Sequence, residues 1–167
     1  SHPADMTEGL INAHGKIEAL MPYLHLPVQS GDDQVLKSMN RKYTSLEYLK
    51  IIEKLRDARP DIVFSSDIII GFPGETDQAF ENTLDLVQKV NYSQAYSFKY
   101  SRRPGTPGSI MKGQVAESIK SERLLRLQEI LYSQQLYFNR AFIGKNMGIL
   151  IERRKKNNQL VGRSPYM

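Results

Sequence analysis

The sequence predicts an α/β fold with a parallel sheet, and three observations support this prediction. Short apolar runs alternate along the chain with segments of helical periodicity, which is the order expected of parallel strands joined by helices. Two of these runs end in polar, glycine-containing sequences, His-Leu-Pro-Val-Gln-Ser-Gly at 25–31 and Gly-Phe-Pro-Gly-Glu-Thr at 71–76, as strands of α/β proteins do at ligand-binding edges. The run at 62–70 is almost continuously apolar, which is typical of a parallel strand covered on both faces.

The amino-terminal third is predicted to contain three helices and one strand. These are a helix at 6–13, a strand at 22–28, a short helix at 32–39 and a helix at 45–59. The helix at 45–59 is the clearest, because Thr44 and Glu47 match a capping box and apolar residues recur on one face. Pro60 marks its end, and the prolines of the strand are expected at its ends or at a bulge.

The predicted order continues with two strands, two helices and a loop. These are a strand at 62–70, a helix at 77–90 that Thr76 can cap, a strand at 94–100, a loop at 101–114 and a long amphipathic helix at 116–141. Three or so strand–helix units are fewer than the eight of a complete TIM barrel, so we expect the second half of a TIM-like barrel. Because half a barrel leaves a strand edge unpaired, a preceding part of a longer chain is expected to supply the other strands.

The pattern of the sequence changes at Gly144. Runs at 147–152 and 160–162 are β-like and flank a basic turn that contains Asn157 and Asn158. We therefore interpret residues 143–167 as the opening hairpin of a separate β module, cut off at its end, and residues 1–142 as the half-barrel domain.

Composition limits the functions that these residues can perform alone. The chain has 167 residues, a net charge of +5 and no cysteine, which excludes disulfides, cysteine-ligated zinc and any iron–sulfur cluster held by its own residues. It has no apolar run long enough to span a membrane and no signal peptide at its start. The lack of cysteine says little about compartment, and a cytoplasmic location is the simplest interpretation. Cations group at Arg102-Arg103 and at 153–156, either as a solvated surface or as contacts for a polyanion.

Two polar residues that follow the first strand are candidate ligand contacts. Gln29 offers both a donor and an acceptor and can bind a polar ligand without charge. Arg41 lies twelve residues on, and its guanidinium suits a carboxylate. The alternatives remain open that Gln29 only satisfies its turn and that Arg41 is a surface residue.

The second strand and the turn after it contain the remaining candidates. Asp67 interrupts an apolar run and, if buried, needs partners, of which Ser65 on the same strand face is one. It is either a ligand contact or a satisfied structural carboxylate. The turn Gly71-Phe72-Pro73-Gly74 lets backbone approach a ligand closely. His25, flanked by leucines, is more typical of a hydrogen-bonded core residue than of a catalyst.

Taken together, these segments resemble a known family. The sequences at 25–31, 32–44, 67–76 and 99–106 closely resemble the tRNA methylthiotransferases of the radical S-adenosylmethionine (SAM) superfamily, and the two ends of the chain resemble the same family. The similarity is greatest to members that add a methylthio group to C2 of N6-isopentenyladenosine next to the anticodon. Open alternatives are the members acting on threonylcarbamoyladenosine in tRNA or on a ribosomal protein, and an inert RNA-binding or structural fragment.

The resemblance implies an architecture and a set of cofactors. Residues 1–142 would be the carboxyl-terminal half of a radical-SAM barrel, and residues 143–167 would be the first strands of a TRAM domain, an OB-like module that binds RNA. The cofactors would be SAM and two [4Fe–4S] clusters, whose cysteine ligands this chain lacks. The fragment would then be inactive alone, with no catalytic residue and no metal ligand of its own.

The resemblance also implies roles for single residues. Those expected at SAM are Gln29, Arg41, Asp67, Gly71, Phe72, Pro73 and Gly74. Those expected at tRNA phosphates are Arg102, Arg103, Arg153, Arg154, Lys155 and Lys156. The expected partners are the anticodon loop of tRNA and an electron donor such as a flavodoxin-type reductant, with no membrane involved.

Overall fold

The computed structural model describes residues 1–166, and Met167, the last residue of the predicted β module, lies outside the described residues. A short 3-10 helix at Pro3–Asp5 precedes six α-helices and five strands. In chain order these are α1 (Glu8–Lys16), β1 (Tyr23–His25), α2 (Asp33–Ser38), α3 (Ser45–Ala58), β2 (Val63–Ile70), α4 (Asp77–Val90), β3 (Gln94–Lys99), α5 (Pro107–Ile110), α6 (Glu117–Arg140), β4 (Leu150–Arg154) and β5 (Leu160–Arg163).

Strands β1, β2 and β3 form one parallel sheet in that order. Each crossover between neighbouring strands contains at least one helix, as parallel pairing requires. The predicted α/β class with a parallel sheet is therefore confirmed. Strands β4 and β5 form a separate antiparallel hairpin with an irregularity in register between Ile151 and Arg153.

Local side-chain contacts define where the helices begin. The predicted capping box of α3 is present, with the Thr44 hydroxyl accepting from the Glu47 amide and the Glu47 carboxylate accepting from the Thr44 amide. Thr76 caps α4 as predicted, and Asp32 caps α2. These caps satisfy amides that a helix leaves unpaired at its start.

Helices cover one face of the parallel sheet. On that face Phe64, Ile68 and Ile70 are buried in a single core with Tyr48 of α3 and Leu127 of α6, among other residues. Alternate residues of β2 point to the other face, and there Asp67 and Ile69 are only half-buried. The expectation that β2 is covered on both faces is met only in part among the described residues, because on this second face Ser65 is fully buried while Asp67 and Ile69 stay half-buried.

Several predicted boundaries also differ from the structure, among them the helix expected at 6–13, which is Glu8–Lys16, and the strand expected at 22–28, which is Tyr23–His25. The segment 101–114 was expected to be a loop, but a proline at its first turn starts the short helix α5 inside it. The strand expected at 147–152 lies at Leu150–Arg154 instead, which brings the cationic residues Arg153 and Arg154 into the strand. Among the described residues, no helix is both long and apolar enough to cross a membrane.

Candidate functional site

The segment after β1 is held against the middle of β2 by its backbone. The Gln29 amide donates to the carbonyl of Asp67 at 2.9 Å, and the Gln29 carbonyl accepts from the Ile69 amide at 2.9 Å. Gln29 adopts a left-handed backbone with φ of +72° and is only 8% exposed, a conformation uncommon for residues other than glycine. Strained backbone of this kind is more frequent where a side chain must be held for a ligand.

Arg41 is linked to the segment around Gln29 by a series of contacts through the rings of His2 and Tyr43. Its Nη1 lies 3.3 Å from Nε2 of His2, and the His2 ring packs edge-on against Tyr43. The Tyr43 hydroxyl in turn donates to the carbonyl of Val28 at 3.1 Å, next to Gln29. Burial raises the pKa of Tyr43, and the nearby charge of Arg41 opposes that rise. The Nε of Arg41 is buried without a hydrogen-bond partner among residues 1–166.

Asp67 is half-buried and its partner is a histidine. Its carboxylate lies 3.5 Å from Nε2 of His25, and Nδ1 of His25 lies 2.7 Å from the Ser65 hydroxyl. The Tyr23 hydroxyl lies 2.6 Å from the Ser65 hydroxyl, so Tyr23, Ser65, His25 and Asp67 form a continuous row of polar contacts. Ser65, expected as a possible partner of Asp67, contacts His25 instead, since the parallel register pairs His25 with Ser65 and places the His25 ring between the two residues. The expected hydrogen bonding of His25 is present.

The turn after β2 has two positions that favour glycine. Gly71 and Gly74 have φ values of +73° and +85°, in the left-handed region that other residues rarely adopt. The Gly74 amide donates to the Gly113 carbonyl at 2.8 Å. Phe72 packs edge-on against Tyr100 at the end of β3, with ring centroids 5.0 Å apart. The turn is therefore fixed to the loop that follows β3.

A buried ion pair between Glu75 and Arg123, which no sequence pattern predicted, lies against this turn. The Glu75 carboxylate is fully buried, accepts from the Gly71 amide at 2.9 Å and lies 2.7 Å from Arg123 of α6. Arg123 also contacts the exposed carboxylate of Asp77 at 2.6 Å. Burial raises the pKa of Glu75, while the Gly71 amide and Arg123 pull that pKa down. We call Gly71, Glu75, Asp77 and Arg123 the turn clamp.

Lys120, one helical turn before Arg123 in α6, also contacts the 71–74 turn. Its Nζ donates to the carbonyl of Tyr100 at 3.1 Å and pairs with Glu117 at 2.7 Å. Its methylene chain lies directly against Gly71, and its side chain is almost fully buried. No local sequence pattern predicts these contacts, because Lys120 is 49 residues from Gly71 along the chain.

A cavity of about 600 Å³ opens beside this turn, where β2 and β3 end. Its lining residues come from the two strand ends, the turn and the following loop, namely Ile69, Phe72, Phe98, Lys99, Tyr100, Ser101, Arg103, Thr106 and Gly108. We call it the strand-end cavity. Of the two expected RNA contacts here, Arg103 lines the cavity, whereas the guanidinium of Arg102 donates to the Ser109 carbonyl.

The second group of expected RNA contacts lies on the β4–β5 hairpin. Arg153, Arg154, Lys155 and Lys156 are all exposed, and none of them forms an ion pair within residues 1–166. On the neighbouring strand Arg163 is paired with Glu152 at 3.1 Å. The hairpin therefore presents four cations to solvent, as a phosphate-binding surface does.

The structure thus brings most of the expected SAM contacts to one edge of the sheet. Gln29 and Asp67 share the β1–β2 border, the 71–74 turn follows β2 directly, and Arg41 joins them through His2 and Tyr43. A buried cationic nitrogen of Arg41 without a partner and a buried glutamine in a strained backbone suit a polar ligand with a carboxylate. The described residues contain no cluster of metal-ligating side chains, and the chain has no cysteine for an iron–sulfur cluster.

Comparisons with known proteins identify similar sequences. The family model described as the radical SAM superfamily matches residues 5–87. The chain is similar over its whole length to tRNA-2-methylthio-N(6)-dimethylallyladenosine synthases from Ehrlichia canis (59% identical), the Wolbachia of Brugia malayi (56%) and Agrobacterium fabrum (56%). It spans only 37–38% of the length of these relatives.

A solved structure supports the fold. The chain resembles coproporphyrinogen III oxidase (HemN) from Escherichia coli, a radical SAM enzyme, with a TM-score of 0.65. The two are 20% identical, and the match covers 80% of this chain and 31% of the other. At this identity the similarity concerns the arrangement of strands and helices alone.

Proposed function

This chain belongs to the radical SAM superfamily, and from that membership we propose that it is part of a tRNA methylthiotransferase. The proposed reaction adds a methylthio group to C2 of N6-isopentenyladenosine next to the anticodon. The observation that supports it most is the 56–59% identity, over the entire chain, to relatives named for that product. To test the choice of substrate, the complete enzyme is given tRNA carrying isopentenyladenosine, tRNA carrying threonylcarbamoyladenosine or ribosomal protein. Mass spectrometry then measures which of the three gains a methylthio group.

The residues proposed to hold SAM are Gln29, Arg41, Asp67 and the turn Gly71, Phe72, Pro73 and Gly74. When bound with a reduced cluster, SAM supplies methyl transfer and radical chemistry. The role of this chain is to bind and orient SAM. Arg41 is proposed to pair with the SAM carboxylate, Gln29 and Asp67 to hydrogen-bond its polar groups, and the turn to place backbone against its adenine. The cluster cysteines are proposed to lie in a part of the polypeptide outside this sequence.

The domain division is also a proposal. Residues 1–142 would form the second half of the barrel, and residues 143–167 would begin a TRAM domain that binds RNA. The separate antiparallel sheet and its four cations, which form no ion pair within residues 1–166, support this division. The proposed partners are the anticodon loop, whose bases can be splayed out at small cost, and a flavodoxin-type electron donor. The proposed location is the cytoplasm.

Removing a proposed SAM contact should weaken cofactor binding. In the complete enzyme we expect Arg41→Ala to reduce SAM affinity by about 1–3 kcal/mol, or about 5–150-fold, because a buried charge-assisted hydrogen bond is lost. Gln29→Asn, which tolerates a left-handed backbone but has a shorter side chain, should have an effect in the same range. Equilibrium dialysis with labelled SAM measures both changes.

Two exposed neighbours serve as matched controls for SAM binding. Lys42→Ala and Gln34→Ala remove a cation and an amide whose side chains lie in solvent, so SAM affinity should not change. If Arg41→Ala binds SAM as tightly as Lys42→Ala does, Arg41 is not a cofactor contact.

The hairpin cations should determine how tRNA binding depends on salt. Replacing Arg153 and Arg154 with alanine removes two proposed phosphate contacts, so the slope of log affinity against log salt should fall by about 2. Binding of tRNA to the complete enzyme at several salt concentrations gives this slope. Arg163→Ala is the control, because Arg163 is already paired with Glu152 and should change the slope less. An unaltered slope in the double variant would mean that these arginines are only solvated.

A further inference from the structure

The ring of His2 lies between two groups that both donate hydrogen bonds. On one side, Nδ1 of His2 accepts from the Ala4 amide at 3.2 Å and caps the short 3-10 helix. On the other side, Nε2 of His2 lies 3.3 Å from Nη1 of Arg41. A backbone amide nitrogen and a guanidinium donate hydrogens and accept none. Both ring nitrogens of His2 therefore face donors.

A single imidazole ring cannot satisfy both of these donors. Neutral histidine has one nitrogen that accepts and one that carries a hydrogen, and protonated histidine has two nitrogens that donate. Because Nδ1 of His2 accepts from Ala4, the hydrogen of the neutral ring is on Nε2 and faces Arg41. Two N–H groups then meet at 3.3 Å with no acceptor between them. Placing the hydrogen on Nδ1 instead only moves the conflict to the Ala4 amide.

An acceptor that bridges His2 and Arg41 removes this conflict. Within residues 1–166 the Arg41 side chain has His2 as its hydrogen-bond partner and no carboxylate nearby. His2 and Arg41 are both partly exposed, so part of each residue is open to a ligand. The bridging group must accept two hydrogen bonds, and because Arg41 is a cation it should be an anion. A carboxylate, with its two oxygens, meets both requirements.

We propose that His2 is a second contact for the carboxylate of SAM, with its Nε2–H donating to one oxygen while Arg41 pairs with the other. The inference rests on the proposed function, which assigns Arg41 to that carboxylate, and it adds a residue that the sequence analysis did not identify. Nδ1 of His2 keeps its structural role as the cap of the helix at Pro3–Asp5. The two nitrogens of one ring thus have separate roles, which substitutions can separate.

Two ligands that differ by a single group test this contact. Decarboxylated SAM has a hydrogen in place of the carboxylate, so the affinity for SAM divided by the affinity for decarboxylated SAM measures recognition of that group. Equilibrium dialysis with the complete enzyme gives this carboxylate ratio. A residue that only supports the fold changes both affinities together and leaves the carboxylate ratio as it is.

Two substitutions at His2 distinguish its two nitrogens. His2→Asn keeps an acceptor near the position of Nδ1, and asparagine is a good helix cap, but the donor at Nε2 is lost. We expect His2→Asn to lower the carboxylate ratio about tenfold, the size of a hydrogen bond to a charged group, and to melt at the wild-type temperature. His2→Gln has a longer side chain whose amide N–H reaches the position of Nε2, so it should retain most of the ratio.

The same substitution in an Arg41→Ala background shows whether the contact is direct. If His2 touches the carboxylate itself, adding His2→Asn to Arg41→Ala lowers the carboxylate ratio further. If His2 acts only by orienting Arg41, the single Arg41→Ala variant and the double variant have the same ratio, and the proposed contact is wrong. Lys42→Ala is the matched control, because its exposed cation should leave the ratio unchanged.

The outcomes also separate this inference from the function on which it rests. A complete enzyme that does not methylthiolate isopentenyladenosine in tRNA would overturn the proposed substrate, while a lowered ratio in His2→Asn would still support the contact with SAM. An unchanged ratio in Arg41→Ala would contradict both the assignment of Arg41 and the role of His2. A lowered ratio in Arg41→Ala combined with a wild-type ratio in His2→Asn would contradict the His2 contact alone.

Discussion

Arg123→Gln is expected to destabilise the protein by about 3–5 kcal/mol, because it leaves a fully buried carboxylate without its cation. Glu75 has no exposed side-chain surface, and within residues 1–166 Arg123 is the only cation that pairs with it. One of its oxygens already has no hydrogen-bond partner among those residues. Urea unfolding followed by circular dichroism measures the loss.

The stability lost in Arg123→Gln should depend on pH, and the pKa of Glu75 determines the direction of this dependence. Burial raises this pKa in the folded state, so Glu75 favours folding at pH values below its ordinary pKa and disfavours folding as the pH rises through the raised value. Without Arg123 the folded-state pKa rises further. The stability difference between the variant and the wild type should therefore be largest near pH 7 and should shrink toward about pH 5.

A double substitution separates the charge from the packing. Glu75→Gln combined with Arg123→Gln removes both buried charges, so we expect it to recover a large part of the lost stability and to lose the pH dependence. Arg126→Gln is the control on the same helix, because its ion pair with Glu81 is half exposed and contributes little. A difference for Arg123→Gln that stays constant between pH 5 and pH 7 would show that Glu75 is not its cause.

Gly71→Ala is expected to cost about 2–5 kcal/mol, more than Gly74→Ala in the same turn. Both glycines have a left-handed backbone, which costs about 1–2 kcal/mol for alanine. A methyl group at Gly71 would in addition collide with the side chain of Lys120, whereas one at Gly74 meets no atom within 4 Å. Overpacking of this kind adds about 1–3 kcal/mol. The difference in unfolding free energy between the two variants isolates the collision.

Shortening Lys120 should remove the additional cost. In a double-mutant cycle, Gly71→Ala and Lys120→Ala should show favourable coupling of about 1–3 kcal/mol, because the second change makes room for the first. Gly74→Ala and Lys120→Ala should show no coupling. Equal effects of the two alanine substitutions would mean that α6 does not pack tightly on the turn.

Helix starts and the alternation of strands and helices could be predicted from the sequence because they depend on neighbouring residues. The capping box of Thr44 and Glu47 contains its own partners three residues apart, and it is present as predicted. The same holds for the Thr76 cap of α4. The boundary of β4 was predicted less well, because a two-stranded hairpin with exposed residues has no strong pattern of burial.

The residues of the candidate site at the strand ends could be predicted from the sequence. The residues that pack against them could not. Gln29 and the 71–74 turn were identifiable because polar and glycine residues follow apolar runs. Ser65 could be identified as one possible partner of Asp67, because both lie on the same face of one strand. The register between β1 and β2 instead places His25 there, and a register is a property of two strands together.

The sequence by itself determined the alternation of strands and helices, the helix caps and the glycines of the turn, since each depends on residues within a few positions. Tertiary structure decided the left-handed backbone of Gln29, the route from Arg41 through His2 and Tyr43, and the turn clamp. Glu75 and Arg123 are 48 residues apart, and only the packing of α6 against the sheet brings them together. Burial then makes their pairing necessary, because a carboxylate removed from water requires a nearby cation or a proton.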